Sequence, residues 1–420
     1  MKIHFILKLF CAFGLILSSL SVLNAQNGII EYRGKVIDGK TKKALESASL
    51  IVDVSNISTI TNSEGEFLLK VPSAIKEFKI VVSLLGYTTQ TVSKNSLTEN
   101  NNLIQLKEAV TALSEVNIAA YKDASNLVKL VFDKRMRKER QNELYMTGFY
   151  RESVKRRNRN VSLTEAVINI LKQPNSTNQP DIVKLGKARK STDYKRLDTV
   201  SVKLQGGPFS TLYLDIMKYP EFIFTTETFN SYIFSFDAPT SINNRQVFVV
   251  NFKPRTSGLN LNYYGKLYID AEAISLVSAE YALDVSNKAK TKNLLVKKKP
   301  KSIVVYPLEA TYKVDYQRKD DLWFYSYASL YLRFKVNKKR QLFNKVYALS
   351  SELAITDWEL NTHNKKINPK ERLKPSVIIS DAISGFSDVD FWGKYNVIEP
   401  DKSIETAIEK IQKNIKKQDD

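Results

Sequence analysis

Cysteine is almost missing from this sequence of 420 residues, and only 2 of its residues are histidine. No apolar run after residue 25 reaches the roughly 18 to 20 residues that a membrane-spanning helix needs. The one cysteine, Cys11, sits in an apolar stretch at residues 9–23 that follows Lys2 and Lys8 and ends at the small residue Ala25. That pattern predicts a secretory signal peptide over residues 1–25, cleaved after Ala25. Processing then leaves no thiol for a disulfide or a thiolate metal site, although the destination is an oxidising space. One histidine remains, His363, in the polar stretch Asn361-Thr362-His363-Asn364-Lys365-Lys366. A zinc hydrolase needs three protein ligands around an open position, so a lone imidazole excludes that chemistry. The same count leaves no Ser-His-Asp or Cys-His arrangement, and no Gly-x-Ser-x-Gly elbow accompanies it. A phosphate-cradling glycine loop between strand and helix is missing too, so no cofactor is expected.

Acidic residues are in the minority: 44 Asp plus Glu stand against 64 Lys plus Arg, a net charge of +20. Such a balance favours anionic surfaces, and export argues against nucleic acid among them. The basic residues are scattered over residues 134–140, 155–159, 187–196, 297–301 and 338–340, as on solvated faces and turns. Peripheral contact with an anionic membrane surface is the partner this charge admits. The length allows two or three domains, each able to bury a core without covalent staples.

Residues 29–106 read as short β-runs parted by turn residues: 29–36, 48–54, 67–71, 78–84 and 88–92, with turns at Asp38-Gly39-Lys40 and Asn62-Ser63-Glu64-Gly65. Strands of this length and spacing predict a small antiparallel sandwich. Several residues also carry a resemblance: Gly34, Val36 and Asp38, then Leu45 and Ala48, then Thr61-Asn62-Ser63-Glu64-Gly65-Glu66-Phe67, then Gly86-Tyr87. Together they resemble the carboxypeptidase regulatory-like domain, a transthyretin-like sandwich found beside some zinc carboxypeptidases and at the N-terminus of many outer-membrane receptors of the Bacteroidota. The resemblance implies a sandwich fold and an envelope setting; the module is an accessory, not the peptidase. Residues 147–152, 161–166, 206–208 and 390–400 extend the likeness to Bacteroidota proteins named for such a domain, and that likeness implies no activity.

Residues 126–143 carry Leu127, Leu130, Val131 and Met136 at helical spacing among Lys and Arg, which predicts a linking helix. Beyond it the chain is strongly β. The runs 247–252, 263–270, 276–283, 303–316, 322–336 and 345–356 are long, aromatic and β-branched, and several alternate cleanly. The hairpin Tyr264-Gly265-Lys266-Leu267-Tyr268-Ile269-Asp270 followed by Ile274 and Leu276 resembles the strand pair of the lipoprotein-carrier half-barrels, in which a curved sheet wraps a helix around a greasy concavity. At the end, Ser403 is the expected N-cap of an amphipathic helix with Ile404, Ile408, Ile411 and Ile415 on one stripe. The expected organisation is a signal peptide at 1–25, a sandwich at 27–107, a helical linker at 108–145, a curved antiparallel β-domain at 146–400 and the terminal helix at 401–420.

For chemistry without histidine, the local candidates are the carboxylates Glu152, Glu165, Asp388 and Asp390, and nothing ties two of them together at a definable separation. The stronger feature is aromatic. On the strand at 322–336 strict alternation places Trp323, Tyr325, Tyr327 and Tyr331 on one face and Leu322, Phe324, Leu330, Leu332 and Phe334 on the other. A strand apolar on both sides is expected at the sheet's centre, its tyrosine face being either core or the lining of a ligand concavity. The sequence therefore points to a mainly β, non-enzymatic protein of the periplasm or the periplasmic face of the outer membrane. Its sandwich would dock or assemble, and its curved domain would bind an envelope protein partner or an apolar ligand.

Overall fold

The computed structural model describes residues 28–109, 123–134, 143–157, 159–192, 203–220, 223–225, 227–256, 262–297, 299–319, 322–338, 344–383, 389–406 and 408–409. The leader at residues 1–25, Ile411, Ile415, Asp388 and the side chain of Asp390 lie outside them. The fold is mainly β.

Seven strands form the N-terminal sandwich: β1 (Ile29–Asp38), β2 (Ser49–Val52), β3 (Ser58–Ile60), β4 (Glu66–Pro72), β5 (Lys79–Ser83), β6 (Gln90–Ser93) and β7 (Asn102–Leu106). One sheet has the order β4-β1-β7 and the other β3-β2-β5-β6. Alternation explains the packing, because Leu50, Val52, Ile80 and Val82 point into the sandwich core while Ile51 and Val81 point out of it. Asn62 makes the turn before β4: its Oδ1 accepts the backbone N–H of Glu64 (2.9 Å) and Glu66 (2.8 Å), and Gly65 takes φ +75° there.

The remaining strands make one open, curved, antiparallel sheet of ten. They are β8 (Leu144–Arg156), β9 (Arg159–Lys172), β10 (Ile182–Thr192), β11 (Tyr232–Ile242), β12 (Arg245–Pro254), β13 (Tyr263–Asp270), β14 (Leu276–Leu283), β15 (Ile303–Lys319), β16 (Leu322–Lys338) and β17 (Lys345–Leu360). Their order is β10-β9-β8-β17-β16-β15-β14-β13-β12-β11. Two meanders thus join where β17 lies beside β8, and β16 is central, as its two-sided apolar sequence requires. The strands β8, β9, β10 and β11 extend the sheet beyond the runs the sequence marked.

Helix α1 (Ala124–Lys134) is the described part of the linking helix; residues 135–142 of the expected span lie outside the described set. It packs with Leu127, Val128 and Val131 on the sheet's inner face, beside the connection from β10 to β11 that carries α2 (Phe209–Leu212). A third helix, α3 (Lys288–Leu295), follows β14. The inner concavity is therefore filled by the chain's own side chains, with Ile216, Met217, Ile223 and Phe224 joining the same core.

The outer face meets the sandwich through a strap formed by residues 391–401. Arg151 donates to the Ile398 carbonyl (2.6 Å), Thr59 to the Val397 carbonyl (3.3 Å), and Arg33 pairs with Glu399 (2.6 Å). Asn396 holds the edge of β4, accepting from Lys70 N–H (2.7 Å) and donating to Lys70 C=O (3.0 Å). The helix after the strap is capped by Asp401, not Ser403: Asp401 Oδ1 accepts Ile404 N–H (2.8 Å) and the Ser403 hydroxyl (2.6 Å). A carboxylate two residues upstream outcompetes the hydroxyl as acceptor for the free N–H groups of the first turn. Ile404 is buried.

Candidate functional site

The tyrosines of β16 do not share a face. Opposite Asp315 and Tyr316 of β15 stand Tyr327 and Tyr325, so Ser326 is an extra residue and the strand bulges there. One inserted residue reverses the alternation beyond it. Tyr325 consequently turns inward, fully buried, with its hydroxyl on the Thr211 carbonyl (3.3 Å). Tyr327 turns outward, joins Phe149 and the strap's Trp392, and donates to Glu352 (3.3 Å). Tyr331 stays on the outer face and is 36% exposed, while Trp323, partly buried, borders a cleft described below.

The carboxylate candidates are also separated. Arg151 stands opposite Glu165 and Glu152 opposite Thr164, so Glu152 and Glu165 occupy opposite faces. Glu165, fully buried, takes Arg151 Nε (2.8 Å) and Arg189 Nε (2.6 Å). Burial pushes its carboxyl up, but the two guanidiniums outweigh that and hold it below the ordinary range. Burial pushes Glu152 up to about 7 despite hydrogen bonds from the Tyr150 hydroxyl (2.9 Å) and the Leu204 backbone. His363 is exposed. Among the described residues no group of three or more His, Cys, Asp or Glu is placed to hold a metal.

A buried ionic cluster on the inner face escaped the sequence reading. Lys172 bridges Asp181 (2.6 Å) and Asp215 (2.7 Å), all three enclosed, and Asp215 accepts the Tyr316 hydroxyl (2.9 Å). A lysine closing the apolar run Ile168-Asn169-Ile170-Leu171 was the only trace of it in the sequence.

On the outer face the sandwich and the sheet enclose a cleft of about 610 Å³. Its roof is the outward side of β2 and β5, with Ile51 and Val81. The floor comes from β12 to β17 and includes Trp323, Phe324, Tyr327 and Trp358. One side is stitched shut by Asn56 Nδ2 on the Trp358 carbonyl (2.6 Å), Ser58 Oγ on the Ile355 carbonyl (3.0 Å) and Lys319 Nζ on the Ser55 carbonyl (2.6 Å). At the far side Gly86 N–H reaches the Ser241 carbonyl (2.9 Å). Between these seams the floor carries Lys313 and Asp315. The Asp315 carboxyl accepts the Ser278 hydroxyl (2.5 Å) and lies 3.6 Å from Lys313 Nζ. Burial pushes Asp315 up, against the pull of Lys313. Nearby, Arg245 grips Asp270 through two hydrogen bonds (2.5 and 2.8 Å).

No curated protein matches the chain. Among solved structures, a DUF1329 family protein from Desulfovibrio piger is 9% identical with a TM-score of 0.25, covering 57% of this chain and 92% of its own. A LolA superfamily protein from Nitrosomonas europaea is 9% identical with a TM-score of 0.22, covering 61% and 99%. A putative membrane-associated protein of unknown function from Bacteroides fragilis is 10% identical with a TM-score of 0.15, covering 78% and 97%. Residues 32–118 match the family model of the CarboxypepD_reg-like domain, which is thus the family that the roof of the cleft resembles.

Proposed function

We propose that this chain is a non-enzymatic binding protein of a Bacteroidota-type envelope, exported to the periplasm or the periplasmic face of the outer membrane, and that its ligand sits between sandwich and sheet. The cleft of about 610 Å³ carries the reading, because it has the size and the mixed aromatic and polar lining of a small-molecule site. A half-barrel carrier would hold its cargo on the inner face, but here that face is occupied by α1 and the β10–β11 connection. The outer cleft takes over the role. Against hydrolysis stands the placement of Glu152 and Glu165 on opposite sides of the sheet, the latter committed to two arginines. The leader pattern and the sandwich family support export and an envelope setting.

Native mass spectrometry of the full chain purified from the periplasm tests this. The expected spectrum shows one small molecule that is released on denaturation and lost in Val81→Trp, whose indole would fill the space under the roof. A ligand-free species that also takes up no member of an amphiphile panel would remove the reading.

A further inference from the structure

The lining of the cleft changes character along the strands. Trp323 lies opposite Arg318, whereas Lys313 lies opposite Ser329, six residues further along β16. Ser326 is the extra residue of the bulge, so the spacing is counted along β15: at about 3.3 Å per residue Asp315 and Lys313 stand about 10 and 17 Å from the Trp323 end. The aromatic end, with Phe324 and Trp358 tilted against each other at 4.5 Å, presents apolar surface beneath Ile51. The other end presents charge of both signs. There Arg245 is committed to Asp270 and Glu272, while at the aromatic end Lys319 is committed to Ser55 and Asn56. Lys313 is held more loosely, 3.5 Å from Glu280 and 3.6 Å from Asp315, beyond the range of a tight charge-assisted hydrogen bond.

An anionic head group placed here would face Asp315 and Asp270, and a cationic one would face Lys313 and Arg245. A neutral head with neighbouring hydroxyls meets neither penalty, since one hydroxyl can donate to the carboxylate while the next accepts from the ammonium. Lys313 also borders a second, shallower depression of about 380 Å³, whose rim includes Tyr264 and Tyr331. These rings are 49% and 36% exposed on the outer face, where exposed tyrosine offers an apolar plane with a polar tip. Sugar rings stack on such planes through their C–H faces.

We propose, on the basis of the binding function above, that the ligand is of the glycolipid class. Its apolar chain runs under the sandwich toward Trp323, its uncharged sugar head meets Lys313 and Asp315, and further sugar extends over Tyr264 and Tyr331.

Four probes separate the parts: dodecyl maltoside, dodecanoate, dodecyltrimethylammonium and maltose, each titrated below its micellar concentration into the full chain with tryptophan fluorescence as readout. Dodecyl maltoside is expected to saturate one site at least about tenfold more tightly than either charged amphiphile, with maltose weaker still. Asp315→Asn is expected to weaken the maltoside about tenfold while leaving dodecanoate unchanged or improved. Tyr264→Ala, at an exposed position, is expected to weaken it a few-fold, and it carries the test if Asp315→Asn lowers the unfolding midpoint. Preference for a charged head, or indifference of the maltoside to both substitutions, overturns the glycolipid assignment and leaves the cleft as a site. Failure of every probe to bind, or binding unaffected by Val81→Trp, overturns the binding function itself.

Discussion

The two faces of the ten-stranded sheet are made by alternate residues of the same strands, yet one is packed solid and the other holds a cleft. On the inner face Tyr150, Tyr325, Tyr347 and Phe252 are fully buried, and even Lys172 is enclosed with a carboxylate on either side. On the outer face the strap packs well, with Trp392 against Phe149, but beyond it the sandwich spans the sheet between two seams. The difference follows from what covers each face. The inner side is covered by connections of the sheet's own chain, α1 and the β10–β11 segment, whose side chains interdigitate as one core. A sandwich with its own closed core can offer only the polar and half-buried outside of β2 and β5, and two such surfaces leave space where their curvatures differ. Open space arises where packing stops.

Truncation of a fully enclosed ring and of a partly buried one on β16 gives the largest expected contrast. Tyr325→Ala removes a fully enclosed ring and should cost about 3–5 kcal/mol. Trp323→Ala, at a partly buried position that borders the cleft, should cost less, about 1–2 kcal/mol, because its ring is only partly enclosed. Denaturant midpoints of the purified variants report the difference directly. Equal losses would mean that the cleft is core in all but name.

Two buried carboxylates on opposite faces, Glu152 and Glu165, should also respond oppositely to pH. Glu152, inward, is pushed up from 4.5 to about 7 by burial, so the folded state keeps a proton that the unfolded chain has released. Its contribution is full below about pH 4.5 and is lost as pH rises toward 7, a change of about 3 kcal/mol. Glu165, outward, is held below its ordinary value by Arg151 and Arg189, so its contribution is present at neutral pH and lost on acidification. Glu152→Gln should therefore flatten the decline of stability between pH 5 and pH 7, and leave the acid limb in place. Unfolding midpoints that fall with the same slope in variant and parent would show that Glu152 is hydrated in the folded state.

Much of this architecture was legible in the sequence, and the failures share a cause. Alternation marked β13, β14, β15, β16 and β17, and an apolar pattern on both sides placed β16 centrally. Alternation is local, however, and a bulge shifts it by one residue without leaving any mark in composition; Ser326 thereby sent Tyr325 and Tyr327 to different faces. Long-range charge partners are equally silent. Arg33 and Glu399 meet across 366 positions, and Lys172 gave no sign of Asp215. The cap at Asp401 was missed because both Asp401 and Ser403 suit the role, and only geometry decides between two acceptors. The cleft was illegible altogether, since it belongs to the fit of two surfaces and to no segment of chain.

The smallest effects belong to the seam where strap and sandwich meet, and they test whether the outer face is joined by packing or by charge. Arg33 and Glu399 lie 2.6 Å apart, but the arginine side chain is 42% exposed. Exposed pairs contribute about 0–1 kcal/mol and are screened by salt, so Arg33→Ala should lower stability by no more than that and by nothing measurable at high ionic strength. Asn396 is different. Its amide is 6% exposed and satisfies both the N–H and the C=O of Lys70 at the edge of β4. Asn396→Ala leaves two backbone groups without that partner, and the cost of about 1–2 kcal/mol should persist in salt. Unfolding midpoints of both variants at low and high salt separate the cases. A salt-sensitive loss at Asn396, or a salt-independent one at Arg33, would show that the strap is held by forces other than those its contacts display, and would put the width of the cleft under the control of charge.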